Sequence, residues 1–315
     1  MSSRYEEIDL ERITAVSISE RGSTVKLESF GDPRKGGKSF RKWLESMPDT
    51  LAADGIRRLS ASIRRSKSAK DRECVWMIGA HVVKCGLSRY LIELMKKGYV
   101  TVLAMNGAAA IHDFEIACFG ETSEDVGANL AAGIFGFARE TSDGMNGAAA
   151  AGIAGGAGLG EALGACLRKG NHPNLSYSLL AEAHRLGIPA TVHVAIGTDI
   201  LVQHPGFDGA AWGELTARDF RIFAARMERL GRRGGVALNI GSAVIMPEVF
   251  LKAFSVARNL GASFDNITTC NLDMIRHYRP DENVLRRPGR FGGESISITG
   301  HHEILIPLLY SAVLS

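Results

Sequence analysis

Cysteine is sparse in this sequence and scattered through it. Its five thiols, Cys74, Cys85, Cys118, Cys166 and Cys270, form no Cys-x-x-Cys pair, which excludes the usual spacing of a structural zinc site and of a disulfide framework. Unpaired thiols suit a reducing cytosol, so a cytoplasmic protein is expected. No run of 18 uncharged apolar residues occurs, and no membrane span is expected. The stretch 144–166 comes closest, but it is built of alanine and glycine and reads as a close-packed buried helix preceded by a loop. The opening residues, MSSRYEEIDLER, lack the apolar core of a secretory signal. Net charge is only +3, from 37 basic and 34 acidic side chains, too mild to argue for a nucleic-acid partner. The basic residues Arg57, Arg58, Arg64, Arg65, Lys67 and Lys70 read as a solvated helix face. There is no Gly-x-Ser-x-Gly elbow, which argues against a serine hydrolase of that class. His301-His302-Glu303 invites a metal, but adjacent histidines do not share a helix face and no His-x-x-x-His occurs, so no metal site is expected.

What is present is an ordinary globular composition, 45% hydrophobic over 315 residues, long enough to build a core without covalent staples. From residue 73 onward, apolar runs of strand length alternate with helical patterns. Strands are expected at 75–83, 99–105, 190–196, 236–240, 264–270 and 295–298, and helices at 87–97, 177–186, 216–230, 249–260 and 301–313. That alternation predicts an α/β fold, a Rossmann-like, doubly wound and mainly parallel sheet with flanking helices. Residues 1–70 read as an N-terminal accessory arm, with a strand-like piece at 13–18, a Gly/Pro/Lys loop at 31–38 and an amphipathic helix near 40–60, and residues 71–315 as the main domain. The polar, arginine-rich segment 273–293 reads as a long loop of the kind that is often functional.

In an open parallel sheet, ligands bind beyond the carboxyl ends of the strands. Those ends carry small and polar residues here: Gly79-Ala80-His81, Asn106-Gly107-Ala108, Thr198-Asp199, Gly241-Ser242, Asn271 and Gly300-His301. Small residues let a nucleotide approach the backbone, and the helix that follows supplies N–H groups for phosphate. The glycine string at 155–160 follows no strand and reads as tight helix packing rather than a dinucleotide fingerprint. His112, Asp113 and Glu115 fit either ribose binding and acid–base work or an acidic first helical turn. His204 lies on a loop that would touch substrate or form a structural turn.

Taken in order, these motifs resemble deoxyhypusine synthase. The resemblance rests on the 79–86 turn and helix, the Asn106-Gly107-Ala108 turn followed by Asp113, the Thr198-Asp199 turn, Gly241-Ser242-Ala243, the Arg279-Pro280-Asp281-Glu282 string and the 300–309 segment, and it covers residues 73–315. It implies NAD as cofactor and a homotetramer with sites at a subunit interface. It also implies oxidation of spermidine, with transfer of a butylamine group through an imine on a lysine in a Trp-Gly-Lys turn. This chain departs from that pattern. Its last lysine is Lys252, and the corresponding stretch reads Arg286-Arg287-Pro288-Gly289-Arg290-Phe291-Gly292-Gly293; arginine stays protonated and forms no imine. Pro247 or Glu248 stands where the family has a histidine, and His301 where it has an acid. The string His112-Asp113-Phe114-Glu115 is similar to one in the NAD-dependent ornithine cyclodeaminase domain attached to certain arginine-degrading enzymes.

The resulting expectation is an NAD-dependent enzyme acting on a small amine, amino acid or guanidino compound. Gly79, Ala80, His81, Asn106, Gly107, Ala108, Asp113, Thr198, Asp199, Gly241, Ser242, Asn271, Gly300 and His301 would line the cofactor. Lys84, His112, Glu115, His204, Glu248 and Arg290 are the candidates for acid–base chemistry or substrate binding, with Lys84 a substitute imine former or simply a surface charge. A deoxyhypusine synthase with a rearranged nucleophile and a non-catalytic NAD-binding sensor or scaffold are the alternatives.

Overall fold

The structure is a computed structural model that describes residues 39–69 and 71–315. The strand-like piece at 13–18 and the loop at 31–38 lie outside the described residues. The chain divides into two units at Leu51. In the first unit, helix α1 (Phe40–Glu45) starts where the Ser39 hydroxyl accepts a hydrogen bond from the Lys42 amide, and Phe40 and Trp43 pack ring to ring.

The second unit opens with α2 (Leu51–Ser68). One face of α2 is apolar, and it lies across the sheet, where Ile56, Leu59 and Ile63 are buried. Its Gly55 is in close contact with Ile296 and Ile298. The remaining elements alternate as the sequence predicts. In chain order they are β1 (Glu73–Ile78), α3 (Ala80–Lys84), α4 (Ser88–Lys96), β2 (Val102–Asn106), α5 (Gly107–Phe119), α6 (Val126–Ala131), α7 (Arg139–Gly155), α8 (Leu159–Gly170), α9 (Leu179–Leu186), β3 (Ala190–His193), α10 (Gly209–Arg233), β4 (Gly235–Ile240), α11 (Ile245–Asn259), β5 (Ile267–Asp273), α12 (Arg287–Gly289), β6 (Glu294–Thr299) and α13 (His302–Leu314). Among the described residues, no single helix is long and apolar enough to cross a membrane.

The six strands are all parallel, in the order β3-β2-β1-β4-β5-β6. This is a doubly wound α/β sheet, and its strand order reverses between β1 and β4. The central strands are buried on both faces, which is why they read as continuous apolar runs rather than alternating ones. On one face Phe223 and Met227 of α10 and Phe250 and Phe254 of α11 close over Val75, Met77 and Ala237. On the other, α2 covers β1, β4, β5 and β6, and α13 packs on α2 and α4.

Two segments differ from expectation. The Ala/Gly stretch forms two helices, α7 and α8, bent 113° apart at the glycines between them. There Gly160 lies so close to Ala190 of β3 that a β-carbon would meet its carbonyl oxygen at 2.1 Å. The segment 273–293 is a crossover rather than an open loop. It holds a π-helical turn, Pro280–Arg286, whose Val284 and Leu285 are buried in the core with α11. Burial of those two side chains gives the segment a helical course despite its prolines.

Candidate active site

Three strand-end turns interlock along the carboxyl edge of the sheet. The Gly79 amide donates to Ile240 O at 2.9 Å, that of Gly241 to Leu272 O at 3.1 Å, and that of Gly300 to Asp273 O at 3.0 Å. At the reversal point the β1 and β4 turns touch, and a β-carbon on Gly79 would sit 1.9 Å from the Gly241 carbonyl oxygen. Gly241 adopts a φ of +64°, a conformation that favours glycine.

Beneath these turns lies a buried polar group. The Asn239 amide nitrogen donates to Ser242 O and Asn271 Oδ1, and the Ser242 hydroxyl accepts from the Met246 amide to cap α11. His302 is 1% exposed, packs against the His81 ring, and lies 3.7 Å from Asp273 Oδ1. Burial lowers its pKa and favours the neutral ring. Among the described residues, neither of its ring nitrogens nor the Asn239 Oδ1 has a hydrogen-bond partner of good geometry, the Leu272 backbone being the nearest polar group to act on the ring. Unpaired buried polar atoms are uncommon, and three of them beneath the strand-end glycines fit a site that holds a polar ligand.

The β2 and β3 ends build a second feature, a cavity of about 560 Å³. Lys84, Ala108, His112, Glu115, Thr198 and Asp199 all line it, so six of the sequence candidates converge there. An exposed segment spanning residues 123–138, including α6, forms its outer wall with Val126, Ile134, Phe135 and Phe137. Glu124 accepts the Gly136 amide, Gln203 donates to Phe135 O, and His204 Nε2 bonds Gly136 O, so the wall is pinned at its middle. His204 therefore meets the wall's backbone rather than the cavity. A neighbouring cavity shares Glu115, Ser123, Glu124 and Ala138 and adds Glu121 and Glu140. Five carboxylates against one lysine line the combined space.

Within it, Glu115 accepts hydrogen bonds from the hydroxyls of Thr122 and Thr141, and His112 Nδ1 lies 2.6 Å from Thr122 Oγ1. Burial alone would push the Glu115 carboxyl up, but its bonds to His112, Thr122 and Thr141 outweigh burial and hold it below the ordinary range. Asp199 is wedged against Gly107, where a β-carbon would meet its Oδ2 at 2.1 Å, and burial raises its pKa to about 6. Asn106 starts α5 by accepting the Ala109 amide at 2.9 Å.

Four other sequence candidates are placed differently. Asp113 is fully buried and takes the Ser178 hydroxyl and the Leu179 and Leu180 amides at the start of α9, so it holds two helices together. Glu248 is held by Lys252, Arg279 and Asn283 on the surface of α11. Arg290 is placed by the parallel crossover just before β6, at the amino edge of the sheet and away from both features. His301 is an exposed residue at the start of α13. Asn239 and Asp273 are not among the candidates of the sequence, and His302 enters there only as a neighbour of His301 at the strand end and in the His301-His302-Glu303 string. The sign of His302 was its helical phase, since His302, Ile306, Leu309 and Val313 form one buried stripe.

No protein-family model matches the chain, and no curated protein matches its sequence. Solved structures do share the fold. A protein described as a deoxyhypusine synthase from Entamoeba histolytica superposes with a TM-score of 0.55 at 12% identity, over 90% of this chain and 96% of that one. AgrE, in its ternary complex with ornithine and NAD+, superposes at 0.54 with 16% identity, over 82% of this chain. A conserved LOR/SDH protein from Methanococcus maripaludis S2 superposes at 0.52 with 15% identity, over 84% of this chain and 70% of that one. The match spans only 32% of the AgrE chain. At these identities the likeness establishes a deoxyhypusine-synthase-like, doubly wound fold.

Proposed function

We propose that this chain is an NAD-dependent enzyme that oxidises a small cationic amine, amino acid or guanidino compound. The observation that carries the reading is the acid-lined cavity, where residues from the chain after β1, β2 and β3 come together at the same carboxyl edge of the sheet that carries the glycine turns. Gly79, Ala80, His81, Gly107, Gly241 and Gly300 would hold the dinucleotide, with the unpaired nitrogens of His302 and the Asn239 oxygen as polar contacts. Bound there, the nicotinamide supplies a hydride acceptor. The five carboxylates favour a cation, while Ile111, Val126, Ile134 and Phe137 exclude water from its apolar body. The AgrE complex, which contains ornithine and NAD+, supports the same pairing of cofactor and cationic amino acid.

Transfer of a butylamine group through an imine has less support. Arg290 lies at the amino edge of the sheet, and among the described residues Lys84 is the only lysine lining the cavity. Lys84→Ala is expected to keep NAD and retain turnover within about tenfold, as for a surface charge near the substrate; loss of turnover with NAD still bound would move the chemistry to Lys84. The exposed apolar side chains of the outer wall, Leu130 and Ile134 among them, favour assembly with further copies, and a homotetramer acting in the cytoplasm completes the proposal.

Mass spectrometry under native and then denaturing conditions, followed by a screen of amines and amino acids for NADH formation, tests this reading. Retained or added NAD and a reduced product are expected. A protein that neither carries nor binds NAD would overturn it.

A further inference from the structure

We propose that His112 is the base of this site and that Thr122 and Glu115 fix which of its nitrogens accepts the proton. The inference rests on the functional reading above for its substrate, but its geometry stands independently. His112 and Glu115 lie three residues apart on α5, and Thr122 follows the end of that helix. The Thr122 hydroxyl sits between them, 2.6 Å from His112 Nδ1 and in a short hydrogen bond to Glu115 Oε2.

A hydroxyl has one proton to give. Glu115, kept ionised by its hydrogen bonds, only accepts, so the Thr122 proton points to the carboxylate. The remaining lone pair on Thr122 must then accept a proton from His112 Nδ1. A neutral imidazole that carries its proton on Nδ1 has a free lone pair on Nε2. No hydrogen bond engages Nε2 among the described residues, and His112 lines the cavity. The arrangement is that of a base oriented by a second group, with the carboxylate one hydroxyl further away.

In the step assigned to it, one proton passes from the ammonium of the bound substrate to Nε2, leaving a neutral amine and an imidazolium. No other bond changes. The free amine can then release hydride from its α-carbon, which an ammonium cannot. Nδ1–H keeps its bond to Thr122 throughout, and Glu115 Oε2, 3.8 Å from Nδ1, stabilises the new positive charge. Thr141, which bonds the other carboxylate oxygen at 3.1 Å, fixes the carboxylate from α7. Thr122 and Glu115 are positioning residues here.

The test reads the tautomer directly. Long-range 15N–1H NMR of the histidine-labelled protein, with the His112 signal assigned by its loss in His112→Gln, is expected to show an Nδ1–H ring. Thr122→Val removes the hydroxyl at nearly constant shape and should shift the ring toward Nε2–H, while Thr122→Ser should restore it. With an oxidised amine in hand, Thr122→Val should lower kcat by about 10- to 100-fold with KM changed less than about twofold, the size expected for an impaired general base. An Nε2–H ring in the wild type, or a kcat in Thr122→Val equal to the wild-type value, overturns the proposal. Failure to bind NAD or to oxidise any amine would overturn the functional reading while leaving the tautomer result to stand or fall on its own.

Discussion

Asp219 shows how far a single buried carboxyl can set the behaviour of the molecule. Its Oδ2 accepts the Gly160 and Val192 amides at 2.8 and 2.7 Å, its Oδ1 has no hydrogen-bond partner among the described residues, and burial raises its pKa to about 7. A carboxyl raised in this way binds its proton more tightly folded than unfolded. Its contribution to stability is therefore full below its unfolded pKa near 4 and is lost as pH rises toward 7, with a slope of at most about 1.4 kcal/mol per pH unit. Asp219→Asn, which keeps one acceptor oxygen and cannot ionise, is expected to flatten the pH dependence of urea unfolding between pH 4 and 7. An unchanged slope would show that other groups dominate. Gly79 is a second such point. Its missing β-carbon leaves room for the Gly241 carbonyl, so Gly79→Ala should push the β1 and β4 turns apart and abolish NAD binding, as measured by titration calorimetry. In the sequence His301 and His302 stand side by side as equals; only packing shows that His302 lies on the buried side of α13, whereas His301 occupies the exposed N-cap position of the helix.

At the level of elements, capping explains more than periodicity. Asp113 accepts three hydrogen bonds at the start of α9 from within α5. Asp113→Ala leaves those donors buried and unpaired, and a loss of about 3 kcal/mol or more is expected, seen as a lower midpoint in thermal or urea unfolding. If stability holds and NAD binding fails instead, Asp113 belongs to the cofactor site after all. All six strands and most helices were legible in the sequence because buried parallel strands are continuous apolar runs and the turns between them are punctuated by glycine. Boundaries were less so. β1 ends at Ile78 because Gly79 must turn against Gly241, and the residues 81–83 that continue its apolar run lie in α3. α10 starts at Gly209, seven residues before its apolar pattern, because Asp208 caps a weak Gly/Ala turn by accepting the Ala210 and Ala211 amides. The 273–293 crossover was hidden by its prolines and arginines, and only the burial of Val284 and Leu285 shows its helical course.

For the whole molecule, charge is the informative quantity. A net charge of +3 conceals a local excess of carboxylates around the cavity. If the substrate is the cation proposed above, its attraction to that region is long-ranged and screened by salt, so KM should rise severalfold between about 20 and 500 mM salt while kcat stays nearly constant. A salt-independent KM would argue for a neutral substrate. Six of the catalytic and cofactor candidates met in the cavity because strand-end position is a property of the chain's order, which the sequence displays. Arg290 did not join them because the direction of a crossover through a segment without clear helical pattern is not displayed there. The outer wall is held differently from the rest of the site. Glu124, Gln203 and His204 grip it through the amide of Gly136 and the carbonyls of Phe135 and Gly136. An anchor made of main-chain atoms is indifferent to the side chains it carries. Val126 and Ile134 are thus free to vary by mutation without loosening the wall, whereas Phe137 packs on the His204 ring, and if the proposed function holds, these two positions are where selection, or an engineer, would most readily change the substrate.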